Sequence, residues 1–123
     1  DPDIWKIEGL DTVEDNENVS KAIKYGVREY VIAVVLGRGA NVEKVNEWLR
    51  AGSSVDGYKG FAIGRSIFWN SLKGWHIGDK SREEAVSEIA DSYLSFISVY
   101  QDGAKKCHKA KQLLDNQVVQ QLL

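Results

Sequence analysis

The sequence predicts a parallel α/β fold made of three strand–loop–helix units in succession. Three observations lead there. Residues 30 to 36, Tyr-Val-Ile-Ala-Val-Val-Leu, form a nearly continuous β-branched apolar run, which is how a parallel strand buried on both faces reads. Shorter strand-like stretches flank it at residues 1 to 8 and 59 to 63. Each stretch is followed by a glycine-bearing loop and then by apolar residues at helical spacing. Alternating strands and helices imply a parallel sheet with right-handed crossovers. Its ligand side then lies at the carboxyl ends of the strands.

The first unit opens with Asp-Pro-Asp-Ile-Trp-Lys-Ile-Glu, expected to be a short buried strand. Side chains alternate, so Ile4, Lys6 and Glu8 share one face and Trp5 and Ile7 the other. A helix is expected from about Asp15 to Tyr25, with Val19, Ala22 and Ile23 inward, Asp15 or Asn16 as cap and Gly26 at its end. The second unit is the 30–36 strand, a Gly37-Arg38-Gly39-Ala40 loop, and a helix over residues 42–51 capped by Asn41 and closed by Gly52. The third is a strand over Lys59–Ile63 containing Gly60, a Gly64-Arg65-Ser66 loop, and a helical turn through Ile67, Phe68, Trp69 and Leu72. Ser81 and Glu84 then form a capping box. They open an amphipathic helix whose stripe is Val86, Ile89, Ala90, Tyr93, Ile97 and Tyr100. Residues 105–123, basic at the start and apolar at the end, are a further helix. The tryptophans read as core or helix-packing residues.

Composition narrows the classes. Hydrophobic residues at 43% and charged residues at 28% are the balance of a folded globular chain. A net charge of -2 gives no reason to expect nucleic acid or an anionic membrane as partner. One cysteine, Cys107, excludes an internal disulfide and fits a cytoplasmic setting. No apolar run approaches the roughly 20 residues of a membrane span. His76 and His108 have no ligands at metal spacing. The chain holds no methionine and opens inside a strand, as a fragment does.

The topology gathers chemistry on one rim. Lys6 beside Glu8 is a candidate nucleophile beside a candidate proton-transfer group, since a desolvated neutral amine attacks a carbonyl to give a Schiff base. The other reading is a surface ion pair on an edge strand. Gly64-Arg65 precedes a helix, where backbone N–H groups and an arginine fork suit a phosphate. Gly37-Arg38-Gly39 repeats the arrangement one strand earlier. Plain turn chemistry is the alternative for either loop.

Three motifs also carry a resemblance. Asp3-Ile4-Trp5-Lys6-Ile7-Glu8 resembles the sixth-strand motif of tagatose-bisphosphate aldolases, class I enzymes whose lysine forms the imine. Gly60-Phe61-Ala62-Ile63-Gly64-Arg65 resembles their last strand and phosphate loop. With Leu36-Gly37-Arg38 between them, the order is similar to that of the aldolase-like domain of bacterial myo-inositol catabolism, the 2-deoxy-5-keto-gluconate-6-phosphate aldolase type. The resemblance implies strands 6 to 8 of a TIM (β/α)8 barrel over residues 1–103, with 104–123 a helical tail. It implies a carbon–carbon lyase acting on a sugar phosphate, with Lys6 and Glu8 catalytic, Gly37, Arg38, Gly39, Gly64 and Arg65 holding the phosphate, and no metal or cofactor. Such a part of a barrel is expected to be inactive alone and to associate, in a homo-oligomer for example, through its open edges. Two other functions stay open: a phosphate-binding isomerase in which Lys6 is only a charge, and a non-catalytic remnant that binds a phosphate ligand or a protein partner.

Overall fold

A computed structural model describes residues 2–121. The elements run β1 (Ile4–Glu8), α1 (Val13–Ile23), β2 (Ile32–Leu36), α2 (Val42–Ser53), β3 (Tyr58–Ala62), α3 (Arg65–His76) and α4 (Arg82–Gln121). Among the described residues the strands form one parallel sheet in the order β1-β2-β3, accompanied by four helices. The α/β class expected from the sequence is therefore present. Residues 122 and 123 of the expected tail lie outside the described residues.

The sheet has one covered face. Trp5 pairs with Ala33 and Ile7 with Val35, while Lys6 pairs with Val34 and Glu8 with Leu36. Ala33 and Val35 are buried in a core that holds Val45 and Leu49 of α2, Tyr58 of β3 and Phe96 of α4. Ile32, Val34 and Leu36, on the opposite face, are only half-buried, so β2 is sealed on one side and not on both. Tyr30 and Val31 precede the strand, although Val31 is wholly buried. The expectation of a buried first strand also fails. β1 is an edge strand, and Ile4, Trp5, Lys6 and Glu8 are all exposed.

A bulge in β3 decides what that strand presents. Ala33 pairs with Tyr58 and Val35 with Phe61, so three steps along β3 match two along β2. The extra residue falls at Lys59-Gly60, where a glycine admits a local kink. Tyr58, Phe61 and Ile63 all reach the core as a result, which strict alternation forbids.

The caps explain several boundaries. Thr12, and neither Asp15 nor Asn16, caps α1: its hydroxyl accepts from the Asp15 N–H at 3.1 Å. Asn16 is buried instead, donating to the Thr12 carbonyl at 2.7 Å. Asn41 caps α2 as expected, accepting from the Lys44 N–H at 2.8 Å. Gly52 does not close that helix; it lies within it, where a side chain would meet Val35 of the sheet at 2.7 Å. The Ser81–Glu84 capping box forms in full.

The long last helix departs most from expectation. α4 spans 40 residues, about 60 Å at 1.5 Å per residue, and runs through residues 103 to 105 without a break. Ile89, Ile97 and Tyr100 of the expected stripe do face inward, and they are joined there by Ala85, Ser92, Phe96, Val99 and Gly103. Val86 and Tyr93 are exposed. Gly103 sets the crossing, because a Cβ there would stand 1.8 Å from the Ser53 hydroxyl of α2. The tryptophans are less buried than expected: Trp5, Trp69 and Trp75 are exposed. Trp48 packs over Gly9, and its indole N–H donates to Asp11 at 2.7 Å, pinning the β1–α1 loop to α2.

Candidate functional site

The carboxyl ends of the strands open into a shallow cleft of about 480 Å³. It is lined by Lys6 of β1, by Arg38 and Gly39 after β2, by Gly64 after β3 and by Arg65 at the start of α3. Leu36, Ala62 and Ile63 floor it. Five of the seven residues that the sequence singles out thus meet around one opening.

Local structure explains how they are aimed. The Ala40 N–H donates to the Gly37 carbonyl at 2.9 Å, closing a tight turn in which both central residues have positive φ, 46° at Arg38 and 76° at Gly39. That is the type I′ conformation, which glycine accepts freely and arginine only under strain. Arg65 and Ser66, expected in a loop, form the first turn of α3. No side chain caps that helix, and its first turn carries no acidic residue, so the positive end of its dipole stands uncompensated where Gly64 and Arg65 line the cleft. Two hydrogen bonds latch the loops together: Arg65 donates to the Arg38 carbonyl at 3.3 Å, and the Ser66 hydroxyl donates to the Ala40 carbonyl at 2.7 Å. The sequence reading gave Ser66 no role, although a hydroxyl beside two Gly-Arg pairs was visible.

The two remaining residues stand outside the opening. Gly37 lies behind the turn, where a Cβ would come within 3.0 Å of Ile63. Glu8 is taken up by Arg38, which donates to its carboxylate at 2.6 Å. Lys6 makes no side-chain hydrogen bond or ion pair among the described residues, and it is exposed, contrary to the buried lysine expected. His76 is the last residue of α3 and not part of a loop; it and His108 are exposed, and no metal-binding group of three or more His, Cys, Asp or Glu side chains occurs among the described residues. Nor is any helix among them long and apolar enough to cross a membrane.

Fold and rim together define a parallel α/β protein with a cationic cleft at the carboxyl ends of its strands. Residues 1–104 match the profile of DUF2090, a family described as uncharacterized protein conserved in bacteria, and the chain belongs to that family. The match takes in all three motifs that suggested a class I aldolase, and it corrects that assignment: the family that claims those residues is DUF2090, and no aldolase family does. No curated protein and no solved structure matches the chain.

Proposed function

We propose that the cleft binds a sugar phosphate and that Lys6 attacks the carbonyl of that ligand to form a Schiff base, making the protein a carbon–carbon lyase. The observation that carries this reading is the convergence of three cationic side chains, Lys6, Arg38 and Arg65, with two glycine turns on one opening. A phosphate there accepts from the Arg65 guanidinium and from the backbone N–H groups at the start of α3, while Gly39 and Gly64 let it approach the main chain.

The chemistry then falls to Lys6. Its amine adds to the ketone and water leaves, giving an iminium. The iminium takes up the electron pair of the bond between the α- and β-carbons as that bond breaks, while the β-hydroxyl gives up its proton and its carbon departs as an aldehyde. Glu8, held beside the opening by Arg38, assists proton transfer once the ligand competes for that guanidinium. On this reading the three strands are strands 6 to 8 of a (β/α)8 barrel, and the half-covered face bearing Ile4, Lys6 and Glu8 is turned toward the barrel interior.

Borohydride added with a ketose phosphate tests the proposal. Peptide mapping is expected to find the reduced adduct on Lys6, and an adduct that persists in Lys6→Ala excludes the lysine. The exposure of Lys6 favours a second reading, in which the ammonium is only a charge in a phosphate-binding isomerase. Lys6→Arg separates the two: activity kept by arginine supports the charge, because a guanidinium forms no imine.

A further inference from the structure

At the other end of the sheet a cavity of about 420 Å³ lies between the start of β3, the end of α2 and the second half of α4. Tyr58, the first residue of β3, lines it and is only 4% exposed. Its hydroxyl is wholly buried and has no hydrogen-bond partner among the described residues. Buried polar groups nearly always have partners, so an unpaired hydroxyl on the wall of a cavity is a donor left over for whatever enters there. Burial pushes the Tyr58 phenol up to about 12, and burial first and Cys107 second push Tyr100, also in the lining, up to about 12. Both are O–H donors at neutral pH.

The rest of the lining defines the ligand. Lys59 and Lys111 both reach Asp56, at 3.0 and 3.5 Å, and each ammonium keeps N–H donors that this carboxylate does not use. Asp115 supplies a second carboxylate, so the two lysine charges are balanced and no uncompensated charge repels an anion. Val55, Ala104 and the Tyr100 ring add apolar surface to a lining that also holds Ser53, His108 and Gln112.

We propose that this cavity is a second small-molecule site and takes an organic carboxylate with an apolar body, its oxygens accepting from Tyr58 and from the lysine ammoniums. The site is independent of the reading given to the rim, which lies at the opposite ends of the strands.

Cys107, half-buried in the same lining, reports occupancy in the full chain. Sodium benzoate is expected to slow its alkylation by iodoacetamide in a saturable way, and benzylamine, which offers only donors, is expected not to. Tyr58→Phe is expected to weaken the protection about five- to tenfold, the worth of one hydrogen bond, with the melting temperature unchanged or raised because an unpaired hydroxyl has been removed. Ala104→Leu fills the cavity from α4 and abolishes protection, whereas Arg65→Ala leaves it intact. Absence of protection by benzoate overturns the proposal. So does protection undiminished in Tyr58→Phe, or protection lost in Arg65→Ala, which places the benzoate at the rim.

Discussion

Replacing Gly39 by alanine separates what the backbone contributes at the rim from what Arg65 contributes. An L-residue at the observed φ of 76° costs about 1 kcal/mol. Unfolding entropy of about 2.1 cal/mol/K per residue over 123 residues converts that to a fall in melting temperature of about 4 °C. The new Cβ also stands 2.9 Å from Nη2 and 3.0 Å from Cζ of Arg65. That guanidinium is the end of a flexible side chain and swings away with little further loss of stability. A phosphate then loses a charge-assisted bond of about 1.5–3 kcal/mol, which is tenfold or more in affinity. Gly26→Ala is the control, since Gly26 has a φ of 78° with nothing within 4 Å of its Cβ position. The assay is thermal melting against a phosphate titration. At a ligand concentration of about 100 Kd the parent gains about 2.7 kcal/mol, near 10 °C, and a tenfold weaker variant gains about half as much. Both variants are expected to start about 4 °C low, and only Gly39→Ala should lose half its phosphate shift. Equal phosphate shifts in the two variants refute the placement of Arg65 as the phosphate fork.

Other perturbations follow from the same geometry. Glu8→Gln frees Arg38 for the cleft, so phosphate binding should tighten while the melting temperature moves by less than about 4 °C, because an exposed ion pair is worth under about 1 kcal/mol. Isothermal titration and melting check the two halves. Leu49→Ala empties a fully buried core position and should cost about 2–5 kcal/mol, or about 8–19 °C in melting temperature. The Ser81 N–H first, and its hydroxyl second, hold the Glu84 carboxyl below its ordinary 4.5. The folded value being depressed, this contribution is present above pH 4.5 and is lost as pH falls through the folded value. Melting curves from pH 6 down to 3 should therefore show the parent's lead over Glu84→Gln shrinking below about pH 4.5; a constant lead contradicts the capping assignment.

Periodicity carried much of the fold. The β-branched run 30–36, of which Ile32–Leu36 is strand, the Asn41 cap and the Ser81–Glu84 box were legible because each is a local rule satisfied locally. What sequence could not supply came from tertiary contacts. Trp5 looks buried, yet β1 is an edge and Trp5 is exposed, while Ile7 on the same face packs against the core. The bulge at Lys59-Gly60 reverses which β3 residues face inward, and only the pairing with β2 reveals it. The α4 stripe was legible at Ile89, Ile97 and Tyr100 but not at Gly103, whose contact with Ser53 of α2 leaves no hydrophobic signal in the sequence. At the rim the glycine and arginine spacings brought Lys6, Arg38, Gly39, Gly64 and Arg65 together correctly. They could not show that Glu8 is engaged by Arg38, since a pairing across 30 residues is set by the turn's positive φ angles.

The position of β1 at the sheet edge has a kinetic consequence. β2 is hydrogen-bonded on both sides and its amides are expected to exchange with solvent most slowly, whereas β1 can peel away while β2 and β3 stay paired. Lys6 therefore rides on the strand that opens first, and Arg65 on a helix anchored by β3. A ligand that spans both ties the loose strand to the fixed one, so its arrival should be read most clearly as slowed amide exchange along Ile4–Glu8, a region it touches at one residue.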